Sequence, residues 1–264
     1  MMFSLEGKTM IVTGAAGQLG GEYVRALLAA GAFVVGLDIA DTNPKGRLKE
    51  ITSDKFMFCA GSVIDRKRLE SIRDEIIAKT GRIDGLINNA AIDTPPNADN
   101  AALTGPFESY PEDALDLTMD VNINGTVRPC QVFGGHMAQH GGGSIVNISS
   151  IYGILSPDQR IYRYKEKPFF KAVGYSVSKS GILNLTRYLA TYWAEKNVRV
   201  NTMTLAGVFN NQDEQFLKNY CPKVPLGRMA KANEYNGAAV FLLSDASSYM
   251  TGSNMVIDGG FSAW

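Results

Sequence analysis

Tyr175 and Lys179 stand four residues apart in the stretch Tyr175-Ser176-Val177-Ser178-Lys179. That spacing places both on one face of a helix, one turn from each other. A free tyrosine hydroxyl has a pKa of about 10 and is a poor acid or base at neutral pH. An ammonium held close by favours the phenolate and lowers that pKa. The pair is therefore a way to make a proton-transfer catalyst from tyrosine. Alone the Y-x-x-x-K spacing is weak, because many helices contain it by chance. Its weight depends on what else the chain holds.

A second constellation can hold a phosphate. Thr13-Gly14-Ala15-Ala16-Gly17-Gln18-Leu19-Gly20 lies between a strand-like and a helix-like segment. Glycines let a backbone approach a pyrophosphate, and a helix N-terminus supplies donors and a positive dipole. Asp38 ends the next strand-like run. An acidic side chain there accepts hydrogen bonds from both ribose hydroxyls of an adenosine and repels a 2′-phosphate, so the expected cofactor is NAD rather than NADP. No arginine follows at once, since Ile39-Ala40-Asp41 comes next. Asn88-Asn89-Ala90-Ala91 ends a third strand-like run and could order a cofactor-facing turn. His136 and His140 invite a metal reading, but Met137 stands where the H-E-x-x-H glutamate would be. With no third ligand evident, a solvated helix end is the better account.

These residues need elements to position them. Segments 9–13, 33–38, 83–88, 144–149, 198–204 and 255–257 read as strands. Segments 19–30, 66–79, 112–139, 175–196 and 234–244 read as helices. Such alternation predicts βαβ units and one parallel sheet covered on both faces. The 264 residues suit a single large α/β domain, with no linker or repeat that divides it. The formal net charge is zero, which gives no reason to expect nucleic-acid or anionic-membrane binding. No apolar run approaches the roughly 20 residues needed to span a bilayer. The absence of a signal-peptide pattern and the isolated Cys59, Cys130 and Cys221 fit a reducing cytoplasm.

Together these pieces resemble the short-chain dehydrogenase/reductase family over essentially the full length. TGAAGQLG, Asp38, NNAA, Val121-Asn122-Ile123-Asn124-Gly125, Asn147-Ile148-Ser149-Ser150, YSVSK, Val198-Arg199-Val200-Asn201 and Val256-Ile257-Asp258-Gly259-Gly260 occur in the family's order. The joint match is specific, although no single piece is. The resemblance implies a single-domain Rossmann fold, a doubly wound parallel sheet with helices on both faces. It also implies a nicotinamide cofactor and a catalytic tetrad of Asn122, Ser150, Tyr175 and Lys179. Ser150 is chosen over Ser149 because Ser150-Ile151-Tyr152-Gly153 fits the family's Ser-x-x-Gly. Cofactor contacts are implied for Gly14, Gln18, Leu19, Gly20, Asp38, Ser62, Val63, Asn89, Ala90, Ala91 and Val208, with Tyr175 and Lys179 serving both roles. In those roles Tyr175 exchanges the proton and Ser150 bonds the substrate oxygen. Lys179 holds the ribose and Asn122 holds a relaying water. A homotetramer is implied as well, through helices 112–139 and 175–196, with Phe261-Ser262-Ala263-Trp264 as a further contact.

Several features depart from the family pattern. The glycines are spaced G-x-x-G-x-x-G, Ser62 precedes Val63 where an Asp is usual, and Leu205-Ala206 replaces Pro-Gly. Ser150 and Tyr175 are 25 positions apart, about a dozen more than the family leads one to expect. Segment 156–174 is therefore an insertion beside the reacting centre. It holds Arg160, Arg163, Lys165, Lys167 and Lys171 against Asp158 and Glu166, with Tyr162, Tyr164, Phe169 and Phe170. Its cations could engage phosphate and its aromatics could stack on a sugar. Asn211 and Gln212 could complete that wall. Ser150-Ile151-Tyr152-Gly153, Phe209-Asn210-Asn211-Gln212, Val224-Pro225-Leu226-Gly227-Arg228-Met229 and the C-terminal stretch are also similar to bacterial flagellin-modification dehydrogenases of the PtmA type. The expectation is an NAD-dependent oxidoreductase of a phosphorylated or nucleotide-linked sugar used for surface-glycan or flagellin modification. The alternatives are a 3-oxoacyl-thioester or hydroxysteroid-like reductase, and a cofactor-binding regulator without turnover.

Overall fold

A computed structural model describes residues 2–39, 48–94, 104–164 and 169–264. The first half of the chain forms β1 (Thr9–Thr13), α1 (Gln18–Ala29), β2 (Phe33–Asp38), β3 (Phe56–Ala60), α2 (Arg66–Thr80) and β4 (Gly85–Asn88). A long helix follows as α3 (Glu112–Met119), α4 (Gly125–Pro129) and α5 (Gly135–Gln139). It is interrupted by π-helical turns at Asp120–Asn124 and Cys130–Gly134. Then come β5 (Gly143–Ser150), α6 (Val173–Tyr192), β6 (Val198–Leu205), α7 (Glu214–Tyr220), α8 (Asn236–Leu243) and β7 (Asn254–Ile257).

The strands pair in parallel, in the order β3-β2-β1-β4-β5-β6-β7. Alternation along them decides which helix covers which face. Ile11, Val35, Leu86, Ile145 and Val200 point to one face, where α2, the long helix and α6 supply Leu69, Ile72, Phe133 and Leu189. Met10, Val12, Val34, Ile87, Val146 and Met203 point to the other, against Val24 and Leu27 of α1 and Ala239 and Leu242 of α8. The doubly wound sheet expected from the sequence is present, with one strand more. β3 and α7 were not foreseen. α6 begins two residues earlier than expected, which puts Tyr175 in its first turn.

The chain runs outward from β1 to β3 and then returns to β4, beside β1. The sheet's order reverses there, and ligands of such sheets bind in the crevice outside the strand ends. A third apolar cluster sits above that end. Ile161 and Tyr162 of the insertion pack with Phe216, Tyr220, Val224 and Met229, and Phe261 closes against them. Expectations about Ala40, Asp41, Lys165, Glu166 and Lys167 concern residues outside those described.

Candidate active site

The turn after β1 is held open by what it lacks. Gly14 has φ +64, and a Cβ on it would lie 2.8 Å from the Ala90 Cα. A Cβ on Gly20 would meet the Gly14 carbonyl oxygen at 2.1 Å. The glycines thus let the β1 turn, the start of α1 and the β4 exit approach at backbone distance. Thr13 Oγ1 accepts from the Asn89 and Ala90 amides at 3.0 and 3.1 Å. Asn89 Nδ2 donates back to the Thr13 and Gly14 carbonyls at 3.0 and 3.2 Å. Asn89 therefore fixes the loop with its side chain. Asp38 Oδ2 accepts from the Ala16 amide at 2.9 Å, setting the loop against the end of β2. No side chain caps α1 at Gly17, so its first amides remain directed outward. This arrangement fits a dinucleotide, with backbone donors and a helix dipole for the pyrophosphate and a carboxylate for ribose hydroxyls. Gln18, Leu19 and Gly20 form that first turn, and Gln18 Nε2 donates to the Phe209 carbonyl at 2.8 Å. Ser62 and Val63 follow β3. The Ser62 hydroxyl accepts from the Ile64 amide at 3.4 Å, and Val63 is buried against Gly125.

A cavity of about 280 Å³ opens beside this turn. Leu19, Asn89, Ala91, Ser150, Tyr175, Lys179 and Val208, all named from sequence, line it together. Asp38, Ser62 and Val63 lie outside it, toward the β2 and β3 side. Ser150 shares the cavity with Tyr175, and its side chain acts to lower the tyrosine's pKa. Ser149 instead donates to the Lys179 carbonyl at 2.8 Å. Asn122 is buried in the first π-helical turn. Its Oδ1 accepts from the Ile92 amide at 2.7 Å, while Nδ2 donates to the Ile92 carbonyl and the Ser178 hydroxyl, both at 3.0 Å. Its side chain joins the β4 exit to α6, one residue before Lys179.

One electrostatic expectation is reversed. Tyr175 is pushed up from the ordinary tyrosine value, first by burial and then by the charge of Asp93, with the Ser150 side chain opposing. Lys179 does not offset this. Its Nζ lies 5.7 Å from the Tyr175 ring centroid and donates to the Ile148 carbonyl at 3.0 Å. Burial holds Lys179 itself down to about 8. Desolvation of both groups outweighs their mutual influence.

The insertion lies at the cavity, with only part of the residue set expected there. Arg160 is 72% exposed and forks onto Asp158 at 2.8 and 2.9 Å. Arg163 is also exposed, and neither arginine lines the cavity. Tyr164 donates to Asp213 at 2.7 Å, and Phe169 packs on Tyr162 at 4.8 Å between ring centroids. The insertion contributes Tyr162 and Lys171 to the lining. Gln212 reaches it and Asn211 does not. Asp93, Tyr152, Phe216 and Tyr220 were not singled out from sequence, yet all line it. Asp93 and Tyr152 follow closely on the ends of β4 and β5, whereas Phe216 and Tyr220 lie in α7, which the sequence did not disclose.

A family model described as enoyl-(acyl carrier protein) reductase matches residues 14–262. The chain is 31% identical to a D-threitol dehydrogenase of Mycolicibacterium smegmatis, over 98% of this chain and 94% of that protein. It is 30% identical to an NAD-dependent glycerol dehydrogenase of Listeria innocua, over 98% and 95%. Its fold superposes with a TM-score of 0.86 on a short-chain dehydrogenase from Leptospira borgpetersenii with bound NAD+. The two are 33% identical, with 97% and 93% of the chains covered.

Proposed function

The chain belongs to the short-chain dehydrogenase/reductase family, and on that premise we propose that it interconverts a secondary alcohol and a ketone on a sugar-like polyol, with NAD as cofactor. The observation that carries this reading is the shared cavity of Ser150, Tyr175 and Lys179 beside the glycine turn. Nicotinamide supplies the hydride acceptor or donor when bound. Tyr175 exchanges a proton with the substrate oxygen, giving it to the ketone in the reduction direction, and Ser150 bonds the same oxygen. Lys179 anchors the ribose beside Tyr175, and Asn122 fixes the helix that carries both. Asp38 favours NAD over NADP because its carboxylate would face a 2′-phosphate.

The polyol preference draws on the relatives named for threitol and glycerol. A phosphorylated or nucleotide-linked sugar had its support in Arg160, Arg163, Lys165, Lys167 and Lys171; neither arginine lines the cavity, and Lys171, which does, is paired with Asp93. The neutral substrate is therefore preferred. Surface-glycan or flagellin modification is the setting suggested by the chain's closer resemblance. Acyl-thioester reduction is the second reading, favoured by the description of the matching family model. We further place the enzyme in a homotetramer, through the face shared by α4, α5 and α6. The experiment is a turnover panel with NAD(H) and NADP(H) against tetritols, pentitols, hexitols, their ketoses and 3-oxoacyl thioesters. Oxidation of polyols with NAD supports the proposal. Turnover of acyl thioesters alone, or equal use of NADPH, would sink it.

A further inference from the structure

A second ammonium stands closer to the Tyr175 ring than Lys179 does. Lys171 Nζ lies 4.5 Å from that ring's centroid and 5.9 Å from that of Tyr152. Its side chain is 6% exposed and forms an ion pair with Asp93, which is 40% exposed. The same ammonium is 3.4 Å from the Thr94 carbonyl. Its backbone is clamped independently. Lys171 N donates to Gln159 Oε1 at 2.9 Å, and Gln159 Nε2 donates to the Lys171 carbonyl at 3.2 Å. The insertion thus delivers Lys171 to Asp93 from 78 residues away.

Both members of the pair line the cavity that holds Ser150 and Tyr175. A buried ammonium needs a partner, and Asp93 supplies one. The pair nevertheless stays open to the cavity on its carboxylate side. It presents N–H donors and carboxylate lone pairs side by side. A hydroxyl can use both at once, accepting from Lys171 and donating to Asp93. A phosphate or carboxylate could use only the ammonium and would meet Asp93 as a like charge. A substrate oxygen on the reacting carbon is claimed by Ser150 and Tyr175. Lys171 rests against the Tyr175 ring, so the hydroxyl within its reach is the one on the neighbouring carbon.

We propose that Asp93 and Lys171 form a subsite for the hydroxyl next to the reacting carbinol, so that the enzyme selects vicinal diols over simple secondary alcohols. This rests on the polyol reading above and gives it its specificity residues.

The test compares 2,3-butanediol with 2-butanol, which differ by one hydroxyl, in NAD-dependent oxidation by the intact protein. Wild type should favour the diol at least about tenfold in kcat/KM, since a hydrogen bond to a charged group discriminates on that scale. Lys171→Met should bring the ratio to within about twofold of one, chiefly by raising KM for the diol. A single substitution could unfold the site by stranding Asp93. The double variant Lys171→Met with Asp93→Asn leaves no unpaired charge, and it should lose the ratio while its thermal unfolding stays close to wild type. Arg160→Ala should keep the wild-type ratio. A wild-type ratio near one would overturn the subsite, and so would variants that keep the preference. Proportional loss on both alcohols would assign Lys171 to Tyr175 or to folding and overturn it equally. Turnover of acyl thioesters with neither alcohol oxidised would instead remove the polyol reading itself.

Discussion

At Tyr175, burial and the Asp93 charge stabilise the protonated phenol, and the Ser150 side chain works against them. The hydroxyl is therefore kept as a proton donor, and its exchange with substrate oxygen depends on groups placed beside it. Tyr175→Phe keeps the ring against Lys171 and removes only that hydroxyl. Turnover should fall by at least about 10² to 10⁴-fold, with NADH binding nearly unchanged. Retention of near-normal rate would exclude Tyr175 as the acid and base. Lys179 gives a prediction in a different quantity. Its proton is held at a pKa of about 8 in the folded chain, against 10.5 for the unperturbed group. From about pH 8 to 10 the unfolded chain keeps a proton there that the folded chain has released. Linkage then requires wild-type stability to rise with pH through that window relative to Lys179→Met, by up to about 1.4 kcal/mol per pH unit. Urea unfolding of both proteins at pH 7, 8, 9 and 10 measures the difference. A flat or falling difference would contradict a buried, depressed Lys179.

The glycine turn shows how much of an element's role lies in atoms that are missing. A Cβ on Gly20 would meet the Gly14 carbonyl oxygen at 2.1 Å, whereas one on Gly17 would lie 3.2 Å from the same atom. Gly20→Ala must therefore displace the loop. It should weaken NADH binding by at least about tenfold and cost about 1–3 kcal/mol of stability, with Gly17→Ala much milder in both. Titration by NADH fluorescence and thermal unfolding would show it, and equal effects at the two positions would refute the steric account. This element was legible from the sequence because its signal is local, with glycines between an apolar strand and a periodic helix. β2 was legible as an apolar run, and β5 and β6 as short runs rich in Val, Ile and Thr. Phe56–Ala60 escaped because FMFCA contains no β-branched residue and lies at the sheet edge, paired only with β2. Glu214–Tyr220 escaped because seven residues are too few for helical periodicity, although Asp213 caps it through the Phe216 amide at 2.8 Å. The Asp93–Lys171 pair was illegible for a third reason. No helix or strand period relates the two positions, and only the completed fold joins the β4 exit to the end of the insertion. The two π-helical turns were equally hidden, and one of them carries Asn122. Its sequence shows only a continuing helix, while the extra residue per turn re-aims a side chain, a use such bulges often have.

Across the whole molecule, two surfaces were expected to meet other copies, and the structure treats them differently. The C-terminal stretch folds largely onto its own chain. Phe261 packs against Tyr220 at 5.5 Å between ring centroids, and Trp264 Nε1 donates to the Lys223 carbonyl at 3.3 Å, although the Trp264 side chain stays mostly exposed. The helical face is open by contrast. A groove of about 990 Å³ runs between the long helix and α6, lined by Val127, Ala138, Leu185, Tyr188, Tyr192 and Trp193. Tyr188 and Tyr192 are 61% and 65% exposed and stack on each other at 5.8 Å. An apolar, aromatic face of this kind is a poor surface for a monomer. A second copy presenting the same face would cover it in an isologous, two-fold contact. Tyr188→Glu with Tyr192→Glu places four carboxylates in such a contact, two from each copy, without touching the cavity. The wild type should scatter light as an oligomer at micromolar concentration, and the double variant should fall to a smaller species that still binds NADH. A monomeric wild type would remove the helical face as an interface. A variant that keeps the full mass would move the contact elsewhere, and the exposed Trp264 would then be the next surface to change.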